Sequence, residues 1–543
     1  MFSEVELSRW QNAKLPAELE NDLKTSRDLH DQFYRNLEFG TGGMRGKMGA
    51  GPNRINIYTI RRAASGLAEY LRETSGRQKG VAISFDSRIH SRDFALETAR
   101  VLAAADIPVF LSEELRPTPE LSFMVREFQA AAGVMITASH NPAAYNGFKV
   151  YDETGCQITL EAANRIMQFM EEKADLFAIP VEAADCPLIS CVGDSIDEAY
   201  LKNVQVVTHR PNLITDFGSH LKIVYTPLHG SGLKLVTEGL KNAGFKNLTL
   251  VPEQAKPDGR FPTVVSPNPE ELASFELAFK QAKEQNADIV LATDPDADRL
   301  GVAVLDDGEY KILTGNQLGA LMLHYLLAAK GEVSENDVLV TTVVTNDLGR
   351  KMANHYGARH VETLTGFKFI GEQIAGFEKT GEHFLFGYEE SYGYLVAPFV
   401  RDKDAIQAAL LTAEMALYFK EKGMSLLTVL DRLYDEFGYH KEALTNLAFE
   451  GEDGTNKMNE LLTRLRKETV FPNVVQKIDF ASGNLGLPKT NMLQFDFANG
   501  ERAFIRPSGT EPKCKIYFQV VEDSAKKAEL ALQKLTENIL THI

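Results

Sequence analysis

The first segment whose residues could do chemistry is TASHNP, residues 137–142, which directly follows an apolar run. A serine hydroxyl beside a histidine, here Ser139 and His140, can act as a nucleophile or carry a phosphoryl group. Serine, asparagine and proline are also common turn residues, so these six residues alone favour a plain turn. Lys149 follows on the next predicted strand, in GFKVY, and could return a positive charge to the same place.

A second segment, DPDADR at 294–299, places three carboxylates at alternate positions: Asp294, Asp296 and Asp298. In extended backbone, residues i, i+2 and i+4 share a side, so the spacing predicts three converging oxygen ligands, which suit Mg²⁺. An EF-hand calcium loop is excluded, because Arg299 stands where glycine is needed and Leu305 where glutamate is needed. A solvated acidic turn is the plainer alternative. The flanking apolar runs indicate burial instead, and a cation would offset the repulsion between the carboxylates.

Three further segments carry weaker signals. In GYEESYG (387–393), a carboxylate and a hydroxyl two residues apart could bind adjacent sugar hydroxyls, although an exposed acidic turn is the default interpretation. In RPSGTEPK (506–513), the arginine could grip a phosphate and Ser-Gly-Thr could form an anion nest, but a hairpin turn fits equally well. In GTGGMRG (40–46), Arg45 could reach a phosphate. That segment lacks GxGxxG and P-loop spacing, so nucleotide binding is not indicated.

Length, charge and cysteine content bound the number of domains, the possible partners and the location of the protein. A chain of 543 residues is too long for one core, which suggests three or four domains. The formal net charge is −17, so nucleic acid and anionic membrane are poor partners. Four irregularly spaced cysteines are typical of reduced thiols in a cytosol. The N-terminus has no apolar signal core, and no apolar run could cross a bilayer, so we expect a cytoplasmic location.

Apolar strand-like runs alternate with helical patterns, which predicts α/β domains. The predicted strands lie at 80–86, 132–139, 221–227, 287–294, 337–344 and 382–390. The predicted helices between them are Ser91 to Ala105, Gly232 to Ala243 and Leu318 to Lys330. The chain contains three copies of one pattern: a strand, a helix and a second strand that ends in a polar loop. Ligands bind at the carboxyl ends of such strands. The repetition therefore suggests three similar domains facing one cleft. The last hundred residues alternate like antiparallel strands around Asn499-Gly500 and end in a helix, Ser524 to Leu540, which predicts a smaller α+β domain. The predicted domains are 1–210, 211–315, 316–440 and 441–543.

Taken together, TASHNP, DPDADR, GYEES and RPSGTEPK resemble, in order and spacing, the motifs of the α-D-phosphohexomutase superfamily, the phosphoglucomutase/phosphomannomutase family. The resemblance covers essentially the whole chain, and GTGGMRG is similar to that family's N-terminal arginine loop. Residues 365–368 and 389–391 look closest to the phosphoglucomutase and phosphopentomutase branch. The resemblance implies four domains around a central cleft: three α/β/α domains with mixed sheets and a smaller C-terminal α+β domain.

The resemblance also implies a role for each matching residue. Ser139 is the phosphoserine, and it holds Mg²⁺ together with Asp294, Asp296 and Asp298. Arg45 and Arg299 contact the serine phosphate, whereas His140 and Lys149 are both candidates for proton transfer. The expected substrate contacts are Lys368, Glu389, Ser391, Lys403, Arg506, Ser508, Gly509 and Thr510. Within that set, residues 506–510 match the loop that grips the non-reacting phosphate.

The activity implied by the resemblance is interconversion of glucose 1-phosphate and glucose 6-phosphate. It proceeds through the phosphoserine and glucose 1,6-bisphosphate, which is both intermediate and activator. Mannose or pentose phosphates on the same scaffold remain alternatives. Three other functions also stay open: a metal-dependent phosphatase, a bisphosphate synthase, and a non-catalytic sensor, which is disfavoured because Ser139 and all three aspartates are present. We expect a monomer or a weak homo-oligomer.

Overall fold

The computed structural model describes residues 3–37, 39–40, 43–173, 175–449, 454–468, 470–483, 486–507 and 513–543. The chain folds as two compact units. The first comprises Met1–Leu318 and Gly366–Gly423, and the second comprises Gly319–Thr365 and Met424–Ile543. None of the helices among these described residues is long and apolar enough to span a membrane.

The first unit begins with a seven-stranded mixed sheet. Its strands are β1 (Phe39–Gly40), β2 (Gly43–Lys47), β3 (Val81–Phe85), β4 (Val109–Ser112), β5 (Ala132–Ile136), β6 (Tyr145–Asp152) and β7 (Ile189–Val192). The helices are α1 (Glu4–Asn12), α2 (Ala17–Thr25), α3 (Leu29–Phe33), α4 (Ile57–Glu73), α5 (Ser91–Ala104), α6 (Thr118–Glu127), α7 (Leu160–Glu172) and α8 (Asp194–Val204). The strand order is β1-β2-β6-β5-β3-β4-β7, parallel from β5 to β7 and antiparallel from β1 to β5. Every residue of β3 and β5 is buried, as expected for strands covered on both faces.

A second, five-stranded mixed sheet follows in the same unit. Its strands are β8 (Lys222–Thr226), β9 (Asn247–Leu250), β10 (Ile289–Thr293), β11 (Leu300–Asp306) and β12 (Glu309–Ile312). Its helices are α9 (Pro211–Phe217), α10 (Gly232–Ala243), α11 (Pro252–Ala255) and α12 (Glu276–Gln285). The order is β12-β11-β10-β8-β9, in which β10 pairs in parallel with β8 and antiparallel with β11.

Residues 315–437 alternate between the two units. Helix α13 (Gly315–Lys330) belongs to the first unit as far as Leu318. The second unit contains the parallel pair β13 (Asp337–Thr342) and β14 (Arg359–Thr363), with α14 (Leu348–Tyr356) between them in sequence. The first unit contains α15 (Phe367–Thr380), the antiparallel pair β15 (His383–Tyr388) and β16 (Tyr394–Leu395), and α16 (Ala405–Glu421). Helix α17 (Leu426–Phe437) returns to the second unit.

The C-terminal part of the second unit is an antiparallel sheet with two helices. Its elements are β17 (Tyr439–Ala448), α18 (Gly454–Lys467), β18 (Val474–Asp479), β19 (Leu493–Phe497), β20 (Arg502–Pro507), β21 (Lys513–Glu522) and α19 (Ala525–His542). The order is β17-β21-β20-β19-β18. Apolar side chains of α18 and α19 share one core with the sheet. The predicted Asn499-Gly500 turn joins β19 to β20, with Gly500 at φ +84°.

These elements confirm the predicted fold class. Each predicted strand contains an observed one, and α10 has the predicted bounds. The predicted repetition is also present: β5, β10 and β15 each end in a polar loop that leads to an antiparallel partner strand. All three loops lie in the first unit. The boundaries at 210, 315 and 440 stay predictions.

Candidate active site

The loop that carries Ser139 joins β5 to β6. The Thr137 hydroxyl accepts the Ser139 N–H at 2.8 Å and donates to Asp86 at 2.6 Å, while the Asn141 N–H bonds the Ala138 carbonyl. This local bonding turns the chain so sharply that Ser139 has φ +51°. A residue with a side chain rarely occupies that left-handed region, and it does so where the surroundings impose it, often at functional sites.

The Ser139 hydroxyl lies between a carboxylate and an imidazole. It donates to Asp294 Oδ2 at 2.7 Å, and its oxygen is 3.3 Å from His140 Nδ1. Only 3% of the Ser139 surface is exposed. The structure therefore brings together three residues that sequence analysis had placed on two separate loops. A buried hydroxyl with this pair of neighbours can exchange a proton and can approach a cation held by the carboxylate.

The loop at 294–299 is a turn, so the extended backbone assumed in the sequence analysis is wrong. The Ala297 N–H donates to the Asp294 carbonyl at 2.9 Å, and Ala297 has φ +49°. Asp294 Oδ1 accepts the N–H groups of Asp298 at 3.2 Å and Arg299 at 3.0 Å. The side chains converge because the chain folds back around the first carboxylate, not because alternate residues share one side.

The three aspartates nevertheless form a cluster suited to a divalent ion. One ligand oxygen from each lies within 4.8 Å of the others, and the residues are 0%, 0% and 2% exposed. Within the described part of the chain, Oδ1 of Asp296 and Oδ1 of Asp298 are buried without a hydrogen-bond partner. Buried carboxylate oxygens that lack a donor fit a cation, and hard oxygen ligands fit Mg²⁺.

Two buried lysines supply positive charge to this cluster. Lys149 Nζ donates to Asp296 at 2.8 Å and to Asp298 at 3.4 Å. Lys403 Nζ lies 3.1 Å from Asp298 and 3.0 Å from Asp402. Burial opposes the charged form of both lysines, but the neighbouring carboxylates raise the pKa of each above its ordinary value. Both lysines are therefore held beside the cluster in ion pairs.

Burial affects the aspartates differently according to their neighbours. Burial first, and then the charges of Asp296 and Asp298, raise the pKa of Asp294 well above its usual range. Burial acts in the same direction on Asp296, but the Lys149 ammonium outweighs it and lowers the pKa of that carboxyl. Asp296 also accepts a hydrogen bond from the Thr118 hydroxyl at 2.9 Å. The pKa values of Asp294 and Asp296 are therefore shifted in opposite directions, because only Asp296 lies beside the Lys149 ammonium.

The two predicted phosphate contacts, Arg45 and Arg299, bond different loops of the site. The Arg45 guanidinium donates to Asn141 Oδ1 at 2.8 Å, so it lies against the loop that carries Ser139. Arg299 pairs with Glu270 and donates to the Ser391 carbonyl at 3.1 Å. Burial opposes the charge of Arg299, but Glu270 and the aspartates raise its pKa. Arg299 therefore joins the metal loop to the third polar loop.

The third loop follows β15 and lies beside Lys403. Glu389, 4% exposed, accepts the Gly366 N–H at 2.9 Å, and burial raises its pKa despite the Lys403 and Arg299 charges. The Lys403 side chain covers Gly393, where a Cβ would lie 2.2 Å from Lys403 Cδ. Lys368 lies in the first turn of α15, two residues after Gly366. Burial lowers its pKa, and its ammonium lies over the Phe369 ring.

The fourth predicted loop belongs to the second unit. Arg506 is the next-to-last residue of β20 and is half-buried. Ser508, Gly509 and Thr510 lie outside the described residues. The assignment of these four residues to the non-reacting phosphate therefore stays a prediction.

Several residues that sequence analysis missed hold the two loops in place. The Ser231 N–H and hydroxyl both donate to the Pro295 carbonyl at 2.8 Å, and Leu228 and His229 have positive φ. Asp86 bonds Thr137, as described above, and the neighbouring Arg88 bonds the Ser139 loop directly. The sequence did contain a sign of these residues. Asp86 and Arg88 follow strand β3, and residues 228–231 follow strand β8, and polar or glycine residues at the carboxyl ends of such strands mark a site.

Fold and site together define a multidomain α/β protein in which a buried serine hydroxyl bonds one member of a three-carboxylate metal cluster. Four family models match the chain, described as phosphoglucomutase/phosphomannomutase α/β/α domain I (36–176), domain II (198–308), domain III (314–437) and the C-terminal domain (450–535). The chain belongs to the phosphoglucomutase/phosphomannomutase family.

Curated relatives are similar over nearly their full length. A phosphoglucomutase from Staphylococcus aureus is 37% identical over 512 residues, 91% of each chain. One from Staphylococcus epidermidis is 37% identical over 536 residues, 95% of this chain and 96% of the relative. Among solved structures, a phosphoglucomutase/phosphomannomutase family protein from Burkholderia thailandensis has a TM-score of 0.69 at 17% identity, covering 93% of this chain and 96% of its own. The phosphoglucomutase parafusin from Paramecium, in an open form, has a TM-score of 0.70 at 19% identity, covering 93% and 94%. The two structures support the fold.

Proposed function

We propose that the protein is a phosphoglucomutase, an isomerase that interconverts glucose 1-phosphate and glucose 6-phosphate. The observation that carries the proposal is the 2.7 Å hydrogen bond from the buried Ser139 hydroxyl to Asp294 of the metal cluster. A serine that only terminated a turn would not need three buried carboxylates beside it. Relatives named phosphoglucomutase, similar over more than nine-tenths of the chain, favour glucose over mannose and pentose phosphates.

In the proposed cycle, Ser139 begins as a phosphoserine. The bond between phosphorus and Ser139 Oγ breaks while a bond to the free hydroxyl oxygen of the sugar monophosphate forms. The resulting glucose 1,6-bisphosphate reverses its orientation in the site. The bond between its other phosphorus and the sugar oxygen then breaks as that phosphoryl group is transferred to Ser139 Oγ. Phosphoryl transfer depends mainly on positioning and charge neutralisation, which suits a site of preplaced cations.

The proton of the attacking sugar hydroxyl needs an acceptor, and the chain offers two. His140 lies beside Ser139 Oγ, and Lys149 lies beside Asp296. A positioned base of this kind contributes about 10²–10⁴-fold to the rate. His140 is the nearer of the two to Ser139 Oγ, whereas Lys149 is paired with Asp296 and Asp298 and also brings positive charge to the cluster.

The remaining residues bind and orient. Asp294, Asp296 and Asp298 would hold Mg²⁺ together with the serine phosphate, and the ion supplies neutralisation of phosphate charge when bound. Arg45 and Arg299 would contact that phosphate. Glu389 and Ser391 would bind sugar hydroxyls beside Lys368 and Lys403, and residues 506–510 would grip the second phosphate. We also propose a cytoplasmic location, which the four unpaired cysteines support, and a monomer or weak homo-oligomer.

The test is to assay the purified protein with glucose 1-phosphate, Mg²⁺ and a trace of glucose 1,6-bisphosphate. Formation of glucose 6-phosphate is expected, with kcat/KM higher than for mannose 1-phosphate or ribose 1-phosphate. Release of inorganic phosphate instead would identify a phosphatase, and a requirement for a separate phosphoryl donor would identify a bisphosphate synthase. No turnover of any of the three substrates would contradict the proposal.

A matched pair of variants tests the role of the serine. Ser139→Ala is expected to remain folded, to lose mutase activity and to take up no label from ³²P-labelled glucose 1,6-bisphosphate. Ser190→Ala changes an exposed serine of β7 and is expected to behave as wild type. Labelling that persists in Ser139→Ala would assign the phosphoryl carrier to another residue.

A further inference from the structure

The loop that carries Ser139 is held by a buried arginine to which no catalytic role has been given above. The Arg88 side chain is 0% exposed. One terminal nitrogen donates to the carbonyls of Pro142 at 3.0 Å and Tyr145 at 2.9 Å, and the other donates to those of Ser139 and Asn141. The four terminal N–H groups of the guanidinium therefore match four backbone carbonyls, all within seven residues of loop and strand.

A carboxylate fixes this guanidinium and the loop at the same time. Asp86 Oδ2 lies 3.3 Å from Arg88 Nε and accepts the Thr137 hydroxyl, which in turn accepts the Ser139 N–H. Asp86 Oδ1 accepts the Ser91 hydroxyl and the Arg88 N–H. Residue 139 is therefore held through its N–H by the Asp86–Thr137 chain and through its carbonyl by Arg88.

Residues 259–266, which lie between α11 and α12, contact Arg88 and the Ser139 loop from another side of the chain. The Arg88 guanidinium lies over the Phe261 ring, 5.0 Å from its centroid, and its backbone forms a bridge with Gly259. The Ser266 hydroxyl donates to the His140 carbonyl at 2.9 Å. A Cβ at position 259 would lie 2.3 Å from the Ile89 nitrogen, so only glycine allows this approach.

A stabilising role for the fold alone would not explain this distribution of bonds. An arginine that served only the core would share its donors among several elements, whereas the terminal donors of Arg88 all end on the loop and strand that carry Ser139. The loop also has a strained conformation at residue 139, and such strain persists only where surrounding bonds determine it. Removing the bonds would let Ser139 relax away from the aspartates.

We propose that Asp86 and Arg88 are positioning residues for phosphoryl transfer, which hold residues 137–145 in the conformation that puts the Ser139 hydroxyl against the aspartate cluster. The proposal rests on the proposed function. Neither residue touches the reacting atoms. Both act through the backbone of the loop, so they affect the rate of transfer and not the binding of the sugar.

The first test compares Arg88→Lys with Arg92→Lys, which changes an exposed arginine of the same segment. Lysine keeps the charge but cannot bond four separate carbonyls. A misplacement near 1 Å costs about 10²-fold, so kcat is expected to fall by about that factor while KM for glucose 1-phosphate changes little. Arg92→Lys is expected to match wild type.

Two further variants keep the test decisive if Arg88→Lys folds poorly. Thr137→Val has nearly the same shape but cannot bond Ser139 or Asp86, and the same split between kcat and KM is expected. In Arg88→Ala, added guanidinium ions should restore kcat in a saturable manner, which a general loss of stability would not allow. Phosphoserine hydrolysis, followed by ³¹P NMR, should also change in rate, because a displaced phosphate loses its shielding from water.

Folded Arg88→Lys and Thr137→Val proteins with wild-type kcat would overturn the proposal, as would a change in KM with kcat unaffected. Assaying the wild-type protein in the same series distinguishes failure of the positioning proposal from failure of the proposed mutase function. If wild type has no mutase activity, the proposed function fails. If wild type is active and the variants are too, only the positioning role fails.

Discussion

Gly230 supports the metal loop through a contact that leaves no room for a side chain. It lies in the loop after β8, and an added Cβ would be 2.4 Å from Pro295 Cα and 2.7 Å from the Pro295 carbonyl oxygen. Carbon atoms contact favourably near ~3.5 Å, so in Gly230→Ala the Pro295 backbone must retreat by about 1 Å. Pro295 is flanked by Asp294 and Asp296, and the displacement passes directly to two of the proposed ligands.

The expected losses follow from that distance. Overpacking of a buried contact costs roughly 1–3 kcal/mol of unfolding free energy. Mg²⁺ demands near-ideal geometry, and disturbing the support of its ligands typically lowers affinity about 10–100-fold. A shift near 1 Å in the reacting groups lowers kcat by about 10²-fold. The loss of Mg²⁺ affinity should therefore exceed what the loss of stability alone would produce.

The assay is calorimetric titration of Mg²⁺ into Gly230→Ala, together with its thermal unfolding and its mutase activity. Gly376→Ala is the matched control, because the new Cβ in α15 meets nothing within 4 Å. Alanine is favoured over glycine inside a helix by up to about 1 kcal/mol, so this control should be as stable as wild type or more so. Wild-type Mg²⁺ affinity in a folded Gly230→Ala protein would refute the proposed support of the metal loop.

Three further predictions concern stability. Burial, then the Lys351 ammonium, lowers the pKa of His440 to about 3, so the unfolded chain binds a proton between pH 6.5 and 3 that the folded chain does not. Stability should therefore decrease as the pH is lowered from 6.5 to 3. His440→Gln should remove up to about 3 kcal/mol of the loss at pH 4.5, as seen by comparing denaturation midpoints with those at pH 7. Equal pH dependence in both proteins would contradict this. Trp10, the single tryptophan, is fully buried against Phe33, Tyr58 and Phe177, so its fluorescence should be blue-shifted and Trp10→Ala should cost about 3–5 kcal/mol in chemical denaturation. Mg²⁺ at 100 times its Kd should raise the unfolding free energy by about 2.7 kcal/mol, EDTA should reverse this, and Asp296→Asn should not respond.

Much of the fold could be predicted because buried parallel strands have a distinctive composition. VAISF is apolar except for Ser84, AGVMI is apolar throughout, and every residue of both strands is buried, as in a strand covered by helices on both faces. The polar residues directly after such strands then mark the edge where a site forms. This logic placed Ser139 and the aspartates on polar loops that follow buried strands, and the structure has them on the loops after β5 and β10.

The parts that could not be predicted depend on contacts between distant residues. The position of Arg88 after β3 could have marked it as a site residue, but its contact with Ser139, 51 residues further along the chain, depends on the pairing of β3 with β5, which the residues around Arg88 do not indicate. The turn at 294–299 depends on a positive φ at Ala297, a residue type that gives no sign of it. Sequence spacing thus gave the right set of aspartates with the wrong backbone geometry.

The charge distribution of the site reconciles an acidic protein with an anionic substrate. A net charge of −17 disfavours the approach of phosphates in general, yet the buried Lys149 and Lys403 and the partly exposed Arg299 are gathered around the aspartates. Carboxylates hold these cations there: Asp296 and Asp298 pair with the two buried lysines, whose charge would be costly to bury unpaired, and Glu270 pairs with Arg299. Each of these three cations is engaged with a carboxylate.

That engagement has a consequence for binding order. A divalent ion among the aspartates would take over part of the neutralisation that the two lysines provide, leaving their charge available to a phosphate. Metal and sugar phosphate should then bind with positive coupling, and thermodynamic reciprocity requires each to raise the affinity of the other by the same factor. The three aspartates would then have two roles: they bind the metal ion, and they keep the lysines in place until the substrate binds.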